Sequence, residues 1–242
     1  MRTLTLLFSF MVAFPFVLSA QSAGELLQKV SAALSEGQDD YAVSLFRQSV
    51  KAGADQTEMF YWTQVEKNSA VAPRLVNELA TYYKHKRNYD KAYLFYREFL
   101  QYHSDDVPAL VSCAEMEMMR GKEKDAVKTY EKVLILDANN LQANIFLGNY
   151  FYLQAEREKK KLEDDYKKIT SPTRMQYASY EWEKNRILDT DFREAASYLE
   201  KADKQYTTPY LRKTLYSIYT RLAEIGKAEM ILNESKSRKK SP

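Results

Sequence analysis

Chemistry in a sequence begins with side chains that can ligate, attack or move a proton, and here they are few. His85 and His103 are the only histidines and Cys113 is the only cysteine; neither histidine has a second ligand at metal spacing. There is no H-E-x-x-H helix, no cysteine pair and no phosphate-cradling loop, because the six glycines stand singly between helical stretches. The acidic pairs Asp39-Asp40, Asp105-Asp106 and Asp164-Asp165 fall at helix boundaries or on a solvated helical face. Carboxylates there cap backbone N–H groups and offset the helix dipole. Nineteen tyrosines and two tryptophans raise another chemistry, stacking on sugar rings. Tyr83, Tyr96, Tyr130 and Tyr219 fall at helix-packing positions, so a glycan platform would need Tyr180 or Trp182 exposed. The residue types predict a non-catalytic chain with no cofactor and no metal.

The 242-residue chain is 45% hydrophobic and 29% charged, enough apolar content for a folded core. A net charge of +3 gives no support for a nucleic-acid groove. Residues 1–20 read as a secretory signal peptide: Arg2 is the only charge, Leu4 to Leu18 is almost continuously apolar, and Leu18-Ser19-Ala20 ends in small residues. The apolar run falls short of the roughly 20 residues of a bilayer span, and Pro15 interrupts it. An uncleaved N-terminal anchor is the alternative. The expected product is exported to the periplasm or cell envelope, starts near Gln21, and keeps no integral membrane segment. With one cysteine, no intramolecular disulfide can form.

What positions these residues is a repeated pattern. Ala92-x3-Tyr96 recurs as Ala126-x3-Tyr130, and Leu79-Ala80-x2-Tyr83 recurs as Cys113-Ala114-x2-Glu117 and Leu147-Gly148-x2-Phe151, each at an offset of 34 residues. Period, small pair and Ala-x3-aromatic step together resemble the tetratricopeptide repeat. The resemblance implies an all-α solenoid of antiparallel helix pairs, about five here, whose stacking buries the core and leaves a concave binding surface. Residues 24–52 form the first pair, with Gly37 five residues before Ala42 as Gly121 is five before Ala126. An extra helix is expected over 57–68, with Met59, Trp62 and Val65 on one side and Trp62 packed between repeats. Pro73 and Pro108 open first helices, Asp106 caps the second of these, and a last unit begins at Pro209. The repeat domain covers 21–235, and a short basic disordered tail is expected over 236–242.

In the fourth unit the second helix arrives late, with Ala195 lying 69 residues after Ala126. The surplus, 156–190, reads as a helical hairpin broken at Ser171-Pro172, carrying Leu162, Tyr166 and Ile169 on one stripe and Met175, Ala178 and Trp182 on another. Because the insertion falls at the turn of a unit, the repeats are expected to close without it.

Family resemblance implies that particular first-helix positions face a protein or peptide partner. These are Arg74, Asn77, Thr81, Lys84 and His85; then Pro108, Val111, Glu115, Met118 and Met119; then Gln142, Ile145, Asn149, Tyr152 and Leu153. The partner-binding set expected is Arg74, Asn77, Thr81, Lys84, Val111, Met118, Ile145, Asn149, Tyr152 and, from the insertion, Trp182. The Lys/Asn pattern of the family's carboxylate clamp is absent. The inserted arms either cover the apolar part of this surface or leave it open. The expected function is a non-catalytic, exported protein-interaction scaffold of a bacterial envelope assembly or transport system. A glycan-binding accessory protein is the alternative.

Overall fold

The structure is a computed structural model and describes residues 21–238; the expected signal peptide at 1–20 and residues 239–242 lie outside the described residues. Contacts divide the chain into two compact units, meeting between Tyr82 and Tyr83.

In the first unit α1 (Ala23–Ser35) pairs with α2 (Asp39–Ala52), α3 (Ala54–Gln64) packs against both, and α4 (Ala72–His85) begins. The helix α1 starts where the Ser22 hydroxyl accepts the Glu25 N–H. Ala42 and Phe46, one turn apart on α2, are both fully buried. The helix α3 corrects the expected extra helix: it ends at Gln64, and its buried side chains are Thr57 and Tyr61. Met59 and Trp62 point to solvent, so Tyr61 supplies the packing expected of Trp62. Trp62 sits edge-on to Tyr61 at 5.1 Å, and the Lys67 ammonium lies 3.2 Å from the Tyr61 ring centroid.

The second unit holds α5 (Tyr89–Tyr102), α6 (Val107–Met119), α7 (Glu123–Leu136), α8 (Leu141–Lys167), α9 (Arg174–Ile187), a π-helical turn (Leu188–Phe192), α10 (Arg193–Gln205), α11 (Pro209–Arg221) and α12 (Ile225–Arg238). The pairs are α6 with α7, α8 with α10 and α11 with α12. Ala92, Ala126, Ala195 and Ala228 are all buried, as are Tyr96, Tyr130 and Leu199 four residues beyond the first three of them. A methyl at the crossing lets two helix axes approach, and the large side chain one turn on fills the space beside it. Asp106 caps α6 through the Ala109 N–H at 2.8 Å, with Pro108 in the first turn, as its sequence predicts. The helix α12 extends to Arg238, three residues into the stretch expected as tail.

One turn recurs in four hairpins. Gly37, Arg87, Gly121 and Ala223 have φ of 69°, 58°, 72° and 56°, and each lies five residues before a buried alanine. In each, the next residue's N–H reaches back to the helix: Gln38 to the Ala33 carbonyl, Asn88 to Tyr83, Lys122 to Glu117 and Glu224 to Tyr219, all at 2.8–3.0 Å. This is a Schellman close, which needs a left-handed residue. Glycine adopts that conformation freely, whereas an L side chain costs roughly 1–2 kcal/mol. Arg87→Gly and Ala223→Gly are therefore each expected to raise stability, by up to about 1 kcal/mol after unfolded-state entropy is subtracted. Gly121→Ala should lower it by a similar amount. Urea unfolding followed by circular dichroism measures all three, and a loss on Arg87→Gly would contradict the turn assignment.

Ala155 occupies the corresponding turn position of the fourth unit, 34 residues after Gly121, yet it is fully buried inside α8. The helix continues through this position to Lys167, 27 residues in all. Its return helix α9 starts at Thr173, whose hydroxyl accepts the Gln176 N–H while the Gln176 side chain takes the Thr173 N–H. This capping box corrects the expected entry at Ser171-Pro172, because a reciprocal pair satisfies two orphan donors. The arms meet through Tyr166 stacked on Tyr180 at 4.2 Å and through Glu158 facing Arg186. Met175 and Trp182 take no part in that seam; they are 80% and 67% exposed.

The base of the arm is packed into the core. Ile187 is 1% exposed and Phe192 fully buried, in one cluster with Ala155, Leu199, Leu215 and Ile218, and Leu162 packs against that cluster.

Candidate functional site

Within the second unit a groove of about 1150 Å³ opens over α6 and α8, bordered by the end of α4, the start of α7 and Tyr210 of α11. Its apolar lining comes from Met116, Met118 and Met119 on α6 and from Ile145, Phe146, Tyr150 and Leu153 on α8. Met116 and Met119 are three residues apart, and Phe146, Tyr150 and Leu153 are four and three apart, which puts them on one stripe of each helix, with Met118 and Ile145 beside it. Met118, Met119 and Leu153 are exposed although large and apolar, an arrangement that water disfavours. Of the two alternatives left by the sequence, the open groove is the one found: apart from Arg157 near the base of the arm, the insertion contributes no lining residue, and none comes from α9.

The expected partner-binding residues separate into four groups. Lys84, Met118, Ile145 and Asn149 line the groove together, as do His85, Glu115, Met119, Gln142 and Leu153 from the wider expected set. Arg74, Asn77 and Thr81 belong to the first unit, where Arg74 is paired with Asp40 at 2.6 Å. Val111 and Tyr152 are corrections. Val111 is only 9% exposed and packs with Leu110, Ala114, Ala126 and Leu147. Tyr152 lies edge-on to Phe192 and exchanges a hydrogen bond with Ser217 at 3.1 Å, because α11 covers that side of the prolonged α8. Trp182 is exposed on α9, away from the groove lining.

Arg87, Lys124, Arg157 and Tyr210 border the groove without having been expected there. Arg87 lies in the turn after α4 and Lys124 in the first turn of α7, outside the first-helix positions expected to face a partner. Arg157 is reached only because α8 does not turn at Ala155, and the missing glycine at that position was the available signal.

Electrostatics along the groove are uneven. Lys84 donates to the Glu115 carboxylate at 2.5 Å and to the Ser112 hydroxyl at 3.2 Å, so this cation is neutralised in place. Arg87, Lys124 and Arg157 make no ion pair among the described residues. Burial pushes the Tyr130 phenol at the groove floor upward, so it stays protonated. Cys113 lies on the buried face of α6; burial and the nearby Glu117 push its thiol up to about 12. A thiol so held is not a nucleophile near neutral pH. Among the described residues no group of three or more His, Cys, Asp or Glu could hold a metal ion, and no helix is long and apolar enough to cross a membrane.

The crystal structure of a candidate protein-binding protein from Bacteroides ovatus is 52% identical to this chain and superposes with a TM-score of 0.75. The match covers 85% of this chain and 100% of that one. The chain belongs to that protein's family. Its own helix pairs, with buried alanines 34 residues apart, give it a tetratricopeptide-repeat fold. Two further structures align with it: MamA (12% identity, TM-score 0.49, 91% of this chain and 96% of that one) and a tetratricopeptide repeat protein from Parabacteroides merdae (16%, 0.37, 90% and 80%). Both are too distant to add to the argument. No family model matches the sequence, and no curated relative matches it.

Proposed function

We propose that this chain is a non-catalytic, exported interaction scaffold of the bacterial cell envelope, and that it holds another protein in the groove over α6 and α8. The observation that carries this reading is the exposure of Met118, Met119 and Leu153 in one continuous concavity of about 1150 Å³. Buried in a partner, such side chains each contribute about 1.5–3 kcal/mol, whereas in water they are a liability. The Bacteroides ovatus relative, itself described as a candidate for protein binding, supports the same reading. Export rests on the apolar 1–20 segment, and N-terminal sequencing of the mature protein is expected to begin near Gln21.

The decisive experiment places a photo-crosslinking residue at Met119 and captures neighbours in intact envelopes. Met118→Lys with Leu153→Glu should abolish the cross-links while leaving the helical signal and the melting temperature close to wild type, because both side chains are exposed. Tyr152→Glu serves as the contrast, since that ring is packed and its loss should lower the melting temperature. Undiminished cross-linking by the double variant would refute the groove as the site.

A glycan-binding reading retains one specific support, the exposed Trp182 ring on α9. Titration of envelope oligosaccharides should then quench tryptophan fluorescence in the wild type and not in Trp182→Ala. Equal quenching in both would remove it.

A further inference from the structure

Resting on the groove as the binding site, the charge around it specifies the partner: we propose that it takes an acidic segment anchored by large apolar side chains. Cations outnumber carboxylates four to two along the groove, with Lys84, Arg87, Lys124 and Arg157 against Glu115 and Glu123. One of the four, Lys84, is already held by Glu115. The three that remain stand together in position along the repeats: Arg87 in the turn after α4, Lys124 in the first turn of α7, and Arg157 on α8 two residues past the position of the missing turn. Gln142 and Tyr210, in the first turns of α8 and α11, border the groove with uncharged groups instead. The groove is therefore polarised, with an apolar floor, a rim at the turn ends where three cations stand against the one lining carboxylate there, Glu123, and an uncharged rim at the helix starts.

Each feature selects something different in the partner. The methionines of α6 have unbranched, adaptable side chains, so the floor accepts leucine or phenylalanine in more than one pose. The guanidinium groups of Arg87 and Arg157 match carboxylates through paired N–H donors, and Lys124 adds a point charge. A cationic rim beside an apolar trench rejects lysine-rich segments, since each like charge brought to it is repelled. The acidic residues of the partner must lie on one side of its apolar anchors, which orients the segment across the helices.

The test uses four fluorescein-labelled nonapeptides followed by fluorescence anisotropy with the full mature chain: Phe and Leu interspersed with Glu, the same with Lys, the same with Gln, and a run of Glu alone. The Glu/Phe/Leu probe should bind at least about tenfold tighter than any other and weaken with added salt. Lys124→Glu with Arg157→Glu should cost that probe roughly tenfold and transfer preference to the Lys probe, with an unchanged melting temperature because both residues are exposed. Equal binding of the Lys or Gln probe would overturn the proposal. So would equal binding of the all-Glu probe, which would indicate a general anion patch, and so would absence of binding by all four. Failure here is distinguishable from failure of the groove itself. Envelope cross-links at Met119 that vanish in Met118→Lys/Leu153→Glu would leave the site standing with a partner of other chemistry.

Discussion

Gly148→Ala is expected to destabilise the second unit by about 1–3 kcal/mol, and Gly148→Val by more, the cost of forcing extra atoms into a packed core. The added β-carbon would sit 2.6 Å from both Cγ and Cδ2 of Leu199 and 3.2 Å from the Leu199 backbone nitrogen. Leu199 cannot step aside, because it is fully buried in the cluster that joins α8, α10 and α11. The direction is informative, since Gly→Ala in an open helix interior stabilises by roughly 1 kcal/mol. Leu199→Ala alone should cost about 2–5 kcal/mol through its cavity. In the Gly148→Ala/Leu199→Ala double variant the two penalties should fall well short of additive, because the new methyl occupies vacated space. Urea unfolding of the four proteins supplies the cycle. A Gly148→Ala protein more stable than wild type would show that α8 and α10 do not approach so closely.

Gly148 was legible in the sequence as the small residue of Leu147-Gly148-x2-Phe151, and so were Ala92, Ala126 and Ala195. A small residue at each helix crossing is a constraint that recurs with the repeat, so its period survives in the text. The turns were half legible. Gly37 and Gly121 announced them, whereas Arg87 and Ala223 adopt the same left-handed conformation without the residue that advertises it. Lys84, Met118, Ile145 and Asn149 fell on the groove because position within a helix fixes which face a side chain takes. Val111 and Tyr152 did not, because the cover on a helix's flank comes from whichever neighbour packs there. The neighbour of Tyr152 is α11, and its place depends on an α8 that never turns. Tyr61, not Trp62, is the buried aromatic of α3 for a similar reason: two adjacent aromatics lie about 100° apart around the helix, and periodicity alone does not say which one is buried.

Removal of the whole insertion, 156–190, is expected to leave the second unit largely unfolded, whereas removal of only its outer part, 164–182, should be tolerated. The whole insertion includes Ile187 and Leu188, and with them Leu162, all of which belong to or pack against the cluster of Leu199, Leu215 and Ile218. Losing Ile187 alone corresponds to a large-to-small core change of about 2–5 kcal/mol. Leu162 and Leu188 add to that, and the Glu156–Arg221 pair disappears as well. That pair is a minor loss, since partly exposed ion pairs contribute about 0–1 kcal/mol. Against a typical total stability of about 5–15 kcal/mol, such a sum exhausts much of what holds the unit together. Loop shortening offers little in return, because closure entropy changes only with the logarithm of length. The outer part is different. It carries Met175, Tyr177 and Trp182, all exposed, and it joins the two arms through the Tyr166–Tyr180 stack. Cutting there keeps Leu162, Glu158, Arg186 and Ile187, and a two- to five-residue loop can join antiparallel helices. The shortened protein should melt within a few degrees of wild type, since a loss of about 1 kcal/mol moves the midpoint by roughly 2–8 °C. Circular dichroism of both deletions decides the matter. A full deletion as stable as wild type would mean that Ile187 and Leu162 are not core, and an outer deletion that fails to fold would mean that the tip carries packing beyond its tyrosine stack. The folded outer deletion also separates the two functional readings. Loss of oligosaccharide quenching with retained Met119 cross-links assigns the tip to glycans and the groove to protein, and retention of both removes the tip from function.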